Sequence, residues 1–316
     1  MDVQREVEQA ERRIRPFVKE TPLFASVLAG GPVLLKLENF QTTGSFKLRG
    51  AMNRMLLMSE AERARGLVAA SSGNHGKAVA FAAAELGVRA TVFVPEGASP
   101  GKVAAIRELS AKVVVAGDDC VLAECAARRF AEEHDLVYVS PYNDPAVIAG
   151  QGTVAVEMLR QGGDFDLLFV AVGGGGLAAG CAGWLKAVRP GVEVIGCLPE
   201  RSPAMAEAVR AGRVVASPCA PTLSDATAGG LEEGTVTLPL CRELIDDFAL
   251  VGEDEIAAAM RWLLVKHGIE CEGAAGAALA GCLAMKDRIQ GRTAGIVICG
   301  GNLDPMVRDR VFAASP

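Results

Sequence analysis

No C-x-x-C pair occurs among the nine cysteines of this 316-residue chain, which stand at 120, 125, 181, 197, 219, 241, 271, 282 and 299. Odd in number and mostly set inside apolar runs, they read as reduced core thiols and not as a disulfide framework. Lysine and arginine form no cluster and the formal net charge is −6, so the basic footprint that nucleic-acid binding requires is missing. No uninterrupted apolar run reaches the length of a membrane span, and Met1-Asp2-Val3-Gln4-Arg5-Glu6 carries no apolar signal region. A cytoplasmic location, with neither membrane nor nucleic acid as partner, is the expectation. Aromatic residues are few, at 5%, whereas half the residues are hydrophobic and 36 are glycine. That is the make-up of an Ala/Val/Gly-rich α/β protein, not of an all-β or disordered one. The length suffices for one large or two modest domains with a sizeable core.

Residues 2–19 place Val3, Val7, Ile14, Phe17 and Val18 among charges, roughly an amphipathic helix that Thr21-Pro22 stops. After a short apolar strand, 33–37, short β-branched runs alternate with Ala-rich helical stretches. Strands are predicted at 67–70, 90–94, 112–116, 136–140, 167–172, 192–198 and 295–299. Helices are predicted at 75–87, 100–109, 119–134, 145–160, 176–188, 253–266 and 273–286. Strands regularly separated by helices mean βαβ units and a mostly parallel sheet. Pro141-Tyr142-Asn143-Asp144-Pro145 is the best candidate linker, rich in turn formers.

Three stretches carry chemistry. In Thr43-Gly44-Ser45-Phe46-Lys47, Gly44 permits a sharp turn, Ser45 is read as an N-cap, and Phe46 lays an apolar face beside the Lys47 amine. An ammonium so placed is poorly solvated and more easily neutral, as a Schiff base with an aldehyde cofactor requires. The competing reading is a surface lysine in the first turn of an ordinary helix. Next, Val170-Ala171-Val172 runs into Gly173, Gly174, Gly175 and Gly176, then Leu177 and a helix. Bare N–H groups at a helix N-terminus make an anion site. A dinucleotide fold is the rival, with Glu200 at the distance of a ribose-binding acid, but the G-x-G-x-x-G spacing meets Ala178. Third, Ser71-Ser72-Gly73-Asn74-His75-Gly76 sets hydroxyls, an amide and free N–H groups at another helix start, which suits a carboxylate as well as a plain N-cap turn.

Together, Lys36-Leu37-Glu38-Asn39 with Thr43-Gly44-Ser45-Phe46-Lys47, the 173–176 glycines and the 71–76 stretch resemble the serine/threonine dehydratases and serine racemases. These belong to the fold type II, tryptophan-synthase-β-like enzymes of pyridoxal 5'-phosphate (PLP), and the likeness spans nearly the whole chain. It implies an α/β fold of two domains with mostly parallel sheets flanked by helices. A large PLP-binding domain would comprise residues 1–56 and 145–316, and a small inserted domain, 57–144, would hold the substrate carboxylate. The cofactor would lie between them, and the family is often a homodimer.

The resemblance also implies roles. Lys47 would carry the cofactor beside Phe46, and Gly173, Gly174, Gly175, Gly176 and Leu177 would hold its phosphate. Asn74 would donate to the ring hydroxyl oxygen, and Ser71, Ser72, Gly73, Asn74 and His75 would surround the substrate carboxylate. Cys299, in Cys299-Gly300-Gly301-Asn302, would sit beside the pyridine nitrogen. A thiol there makes the ring a weaker electron sink, which suits α,β-elimination more than transamination. Glu272 matches an acidic residue near the ring, or it simply favours a helix N-terminus. His134 and His267 read as structural or exposed.

Lys77 stands where the racemases carry glutamine, facing solvent or reaching a distal polar group of a substrate larger than serine. Ala206 falls where a metal-binding loop needs aspartate, and no metal is predicted near Glu200. The chain ends soon after Cys299, so feedback control through a regulatory extension is not expected. The implied reaction converts L-threonine or L-serine to a 2-oxo acid and ammonia, with Lys47 taking the α-proton. Alternatives are a serine racemase using Ser72 as acid/base on the opposite ring face, a dehydratase of a bulkier β-hydroxy amino acid, a nicotinamide oxidoreductase, and a PLP-binding protein without catalysis. The loop 223–230 is expected to face the substrate.

Overall fold

The computed structural model describes residues 1–312. Helix α1 (Val3–Ile14) leads to strands β1 (Leu23–Leu28) and β2 (Gly31–Leu37), then α2 (Lys47–Leu56) and α3 (Glu60–Arg65). Next come β3 (Leu67–Ala70), α4 (Asn74–Leu86), β4 (Ala90–Val94), α5 (Pro100–Glu108), β5 (Lys112–Val115), α6 (Cys120–Glu133) and β6 (Val137–Tyr138). Beyond them lie α7 (Pro145–Arg160), β7 (Leu167–Ala171), α8 (Gly176–Val188), β8 (Glu193–Pro199), α9 (Ala204–Ala211) and α10 (Thr237–Leu244). The chain closes with β9 (Asp247–Val251), α11 (Glu253–His267), α12 (Gly273–Ala284), β10 (Ala294–Ile298) and α13 (Pro305–Phe312).

The strands form two sheets, in the orders β1-β2-β10-β7-β8-β9 and β5-β4-β3-β6. Among the described residues only β1 pairs antiparallel, with Leu23 opposite Lys36 and Leu28 opposite Gly31. The central strands β7 and β10 are buried at every residue, as a parallel strand covered by helices on both faces must be. Helix α12, Gly- and Ala-rich, lies against that sheet with its small side chains enclosed almost all round. The core of the four-stranded sheet includes Leu48, Ala51, Met52 and Met55 of α2 and Val147 of α7. Its apolar packing thus extends past residues 57–144 at both ends.

Helix α1 ends at Ile14, not near residue 19, because Pro16 follows the C-cap Arg15 and cannot continue the ladder. Strand β6 is shorter than the predicted 136–140. The Ser140 hydroxyl accepts from the Tyr142 and Asn143 N–H groups and turns the chain away. Strands β1 and β9 escaped the sequence reading. Both are sheet edges, and both are exposed at several positions, unlike the inner strands.

Candidate active site

Three parallel strands, β3, β7 and β10, end on one cleft, the place where open α/β sheets accept ligands. Phe46, Lys47, Asn74, Gly173, Gly174, Gly175, Gly176, Leu177, Glu272 and Cys299 all line it. Tyr142, Ala226 and Thr227 complete the wall facing the glycines.

Lys47 is delivered by a turn that only glycine can make. Gly44 has φ +77°, and a β-carbon there would fall 2.5 Å from Asn302 Oδ1. Ser45 bridges to Gly300, and the Phe46 N–H donates to the Cys299 carbonyl at 3.0 Å, so the lysine loop is stitched to the end of β10. Ser45 is not the N-cap it was expected to be. Phe46 occupies that position without a side-chain cap, and the Ser45 hydroxyl is fully buried with no partner among the described residues. Lys47 is the first residue of α2, where the positive end of the helix dipole opposes a cation. Burial lowers its amine to about 8 against the pull of Cys299 and Glu272. Its Nζ lies 5.2 Å from the centre of the Phe46 ring and donates to the Pro141 carbonyl at 2.9 Å.

Opposite, β7 runs into the four glycines and α8. Gly175 is the N-cap of α8 with φ +87°. A β-carbon on Gly174 would lie 2.2 Å from the Tyr142 ring, and one on Gly173 would lie 3.0 Å from Thr227. The loop therefore presents bare N–H groups, orphaned by their place at a helix start, to the cleft. The Tyr142 hydroxyl accepts from the Glu232 N–H at 2.9 Å, and burial raises the phenol so that it stays neutral.

The far end of the cleft is a polar cluster. Asn74 Nδ2 donates to Glu272 Oε2 at 2.7 Å and to Oε1 at 3.0 Å, while Cys299 Sγ lies 3.7 Å from Glu272 Oε1. Glu272 is the N-cap residue of α12. Burial pushes its carboxyl up to about 7 although Asn74 favours the ionised form. Burial and Glu272 hold the Cys299 thiol well above its ordinary value, so it stays protonated.

Ser71, Ser72 and Gly73 form the half-buried turn into α4, outside the cleft wall, where the Ser71 hydroxyl accepts from the Gly73 N–H at 3.1 Å. The His75 side chain departs from expectation. Its Nε2 bonds to the Val139 carbonyl at 2.8 Å, and burial with the nearby Lys47 charge lowers it to about 3. A neutral ring that donates through Nε2 has only an acceptor left at Nδ1, so the imidazole cannot serve a carboxylate. What position 75 offers an anion is its backbone N–H at the start of α4. His134 and His267 lie elsewhere, on the Phe130 carbonyl and the Ser26 hydroxyl.

Tyr142 and Asn302 were missed as site residues. Tyr142 sits in the stretch read as a linker, and Asn302 follows the last predicted strand. Only the run Cys299-Gly300-Gly301-Asn302, glycines at a strand end beside an amide, pointed there.

The donor set fits PLP. An amine lowered toward neutrality answers the aldehyde, glycine N–H groups that no β-carbon could replace answer the phosphate, and an amide and a thiol remain for the ring edge.

A model of the pyridoxal-phosphate dependent enzymes matches residues 14–300. An L-threonine ammonia-lyase of Thermotoga maritima is 40% identical over 97% of this chain and 77% of its own. Among solved structures, the processed form of threonine deaminase isoform 2 from Solanum lycopersicum superposes with a TM-score of 0.90 at 32% identity, covering 98% of this chain and 93% of that one. Maize serine racemase gives a TM-score of 0.91 at 29% identity, covering 98% and 96%. This chain, with its lysine turn and glycine loop on one cleft, therefore belongs to the pyridoxal-phosphate dependent enzyme family.

Proposed function

We propose that the chain is an ammonia-lyase that converts a β-hydroxy amino acid, L-threonine or L-serine first, to a 2-oxo acid and ammonia. The observation that carries this reading is the Lys47 amine, lowered to about 8 by burial, without a salt bridge among the described residues, and set in the same cleft as the bare 173–176 glycines. The relatives named above support the reaction class, and the family match leaves the dinucleotide reading of the glycine run without support.

When bound, PLP withdraws electrons from the substrate α-carbon and so makes its proton removable and its β-substituent a leaving group. In this reading Lys47 holds the cofactor aldehyde and, once displaced, takes the α-proton at Nζ. An amine lowered to about 8 is a competent base at the pH of the cell. The N–H groups of residues 173–176 and Leu177 fix the phosphate at the positive end of α8. Asn74 orients the ring from its edge. Cys299, neutral, supplies no charge to the ring nitrogen, which favours elimination over transamination. The start of α4, with Ser71, Ser72, Gly73 and the N–H of His75, receives the substrate carboxylate. We assign that role to a small lobe, residues 57–144, and the cofactor to the remainder, with Ala226 and Thr227 on the cleft wall. The Ser72 hydroxyl and the likeness to maize serine racemase favour racemisation as the second reading.

The test is the visible spectrum of the purified protein, followed by addition of L-threonine, L-serine and bulkier β-hydroxy amino acids. A cofactor band that responds to substrate, together with a 2-oxo acid, is the expected result. A responsive band with D-amino acid and no oxo acid would replace the lyase by a racemase. Absence of the band after PLP addition would overturn both readings.

A further inference from the structure

A chain of hydrogen bonds runs from the first turn of α4 to the floor of the cleft. Lys77 Nζ donates to Asn302 Oδ1 at 3.1 Å. Asn302 Nδ2 donates to the Thr43 carbonyl at 2.9 Å and to Asn74 Oδ1 at 2.7 Å. Asn74 Nδ2 then donates to Glu272. Two members are amides, whose oxygen and nitrogen ends have nearly the same shape and which taken alone fit either way round. The flanking groups have no such freedom, because an ammonium can only donate and a backbone carbonyl can only accept. Between them Asn302 has one orientation. It leaves Asn74 one as well, with Oδ1 turned back to Asn302 and Nδ2 turned into the cleft. Gly44, whose missing β-carbon makes room for the Asn302 amide, holds the junction tight.

Lys77 has no other evident employment among the described residues. It is half-buried, its hydrogen bond goes to a neutral amide, and burial alone lowers its pKa, with no carboxylate raising it. A cation kept in so poor a setting is costly unless its directionality is used. We propose that Lys77 is a positioning residue which, through Asn302, fixes the side-chain amide of Asn74 with its donor end toward the cofactor. Lys77 thus acts on the ring edge from behind the cleft wall, not on a distal group of the substrate.

The inference rests on the cofactor site proposed above, and four substitutions test it by what each can donate. Lys77→Arg donates only, Lys77→Gln donates or accepts, Lys77→Met does neither, and Lys77→Glu accepts only. The readouts are the PLP dissociation constant of resolved and reconstituted enzyme and the pH midpoint of its visible band. Arg and Gln should bind PLP within about threefold of the parent, Met about tenfold more weakly, and Glu more weakly still. The band midpoint should move only in the last two. In an Asn302→Ala background the four should converge on one affinity, because the link is cut. Equal affinities for Gln and Met, or a spread that survives Asn302→Ala, would overturn the proposal. Should the Met variant fail to fold, the near-isosteric Gln and Glu pair decides it, since equal affinities there overturn it too. A parent protein that binds no PLP would overturn the site itself and the inference with it, a result distinct from a flat series in a protein that does bind.

Discussion

Lys47 and Arg49 stand two residues apart at the start of α2, and their surroundings give them opposite characters. The Arg49 guanidinium is fully enclosed. It bonds both oxygens of Glu38 at 2.8 Å and both of Glu157 at 2.7 Å, and Lys36 adds its own bond to Glu157 at 2.7 Å. Burial works against that guanidinium, yet the two carboxylates raise it far above its ordinary value, while Arg49 holds Glu157 low despite the same burial. Every charge there is matched by an opposite one in direct contact. Within about 7 Å of chain, Lys47 faces a cleft, where it donates to a carbonyl and lies over the Phe46 ring without a salt bridge among the described residues, and burial brings it to about 8. Across that cleft Glu272 is brought to about 7 with only an amide and a thiol beside it. Burial is common to both regions. Pairing separates a group that holds the fold together from one that can move a proton.

The largest expected effect is that of Lys47→Ala, which should cut turnover at least roughly a thousandfold and remove the visible band of lysine-held cofactor, leaving circular dichroism and unfolding temperature near the parent's. Parent-like turnover in this variant would end the comparison. Arg49→Met should do the reverse and act first on stability. It strands Glu38 as a buried charge and leaves Glu157 with Lys36 alone, at a cost of about 3–5 kcal/mol in denaturant unfolding. A loss below roughly 1 kcal/mol would mean that the cluster is not structural.

Glu272→Gln sharpens the other side through pH. Its folded carboxyl is raised to about 7 from the ordinary value of 4.5. The native state then binds more protons than the unfolded chain between those values, and stability falls as pH rises through that window. The apo-protein of Glu272→Gln should therefore equal the parent below about pH 4.5 and exceed it above about pH 7, by up to about 3 kcal/mol. Unfolding curves at about pH 5 and about pH 8 check the sign. Tyr142→Phe should have the smallest effect, about 1 kcal/mol, through the lost acceptor for the Glu232 N–H. It should loosen the wall over Gly174 and leave the Arg49 cluster untouched, as hydrogen exchange of the glycine loop against α7 would record.

Much of the site was legible because backbone chemistry writes itself into sequence. Four glycines after an apolar strand and before a helix have few other uses, and a lysine after Gly44 in the first turn of a helix is conspicuous. The inner strands β3, β4, β7 and β10 were legible for the same reason, since burial on both faces demands a nearly continuous apolar run. Glu38, Arg49 and Glu157 were not recognised as a cluster, because positions 38 and 157 meet only when β2 and α7 pack around α2. His75 was assigned from its neighbours in the motif, and its ring was claimed instead by the carbonyl of Val139, 64 residues away.

The alternating α/β plan, the lysine turn and the anion loop are properties of a few consecutive residues, and the order of amino acids alone specifies them. Which buried charges are paired, which way the Asn74 amide points and which groups are moved toward neutrality were decided only in the folded molecule. Desolvation and hydrogen-bond polarity depend on what surrounds a side chain in space, and partners 108 to 228 residues apart in the chain meet only after packing.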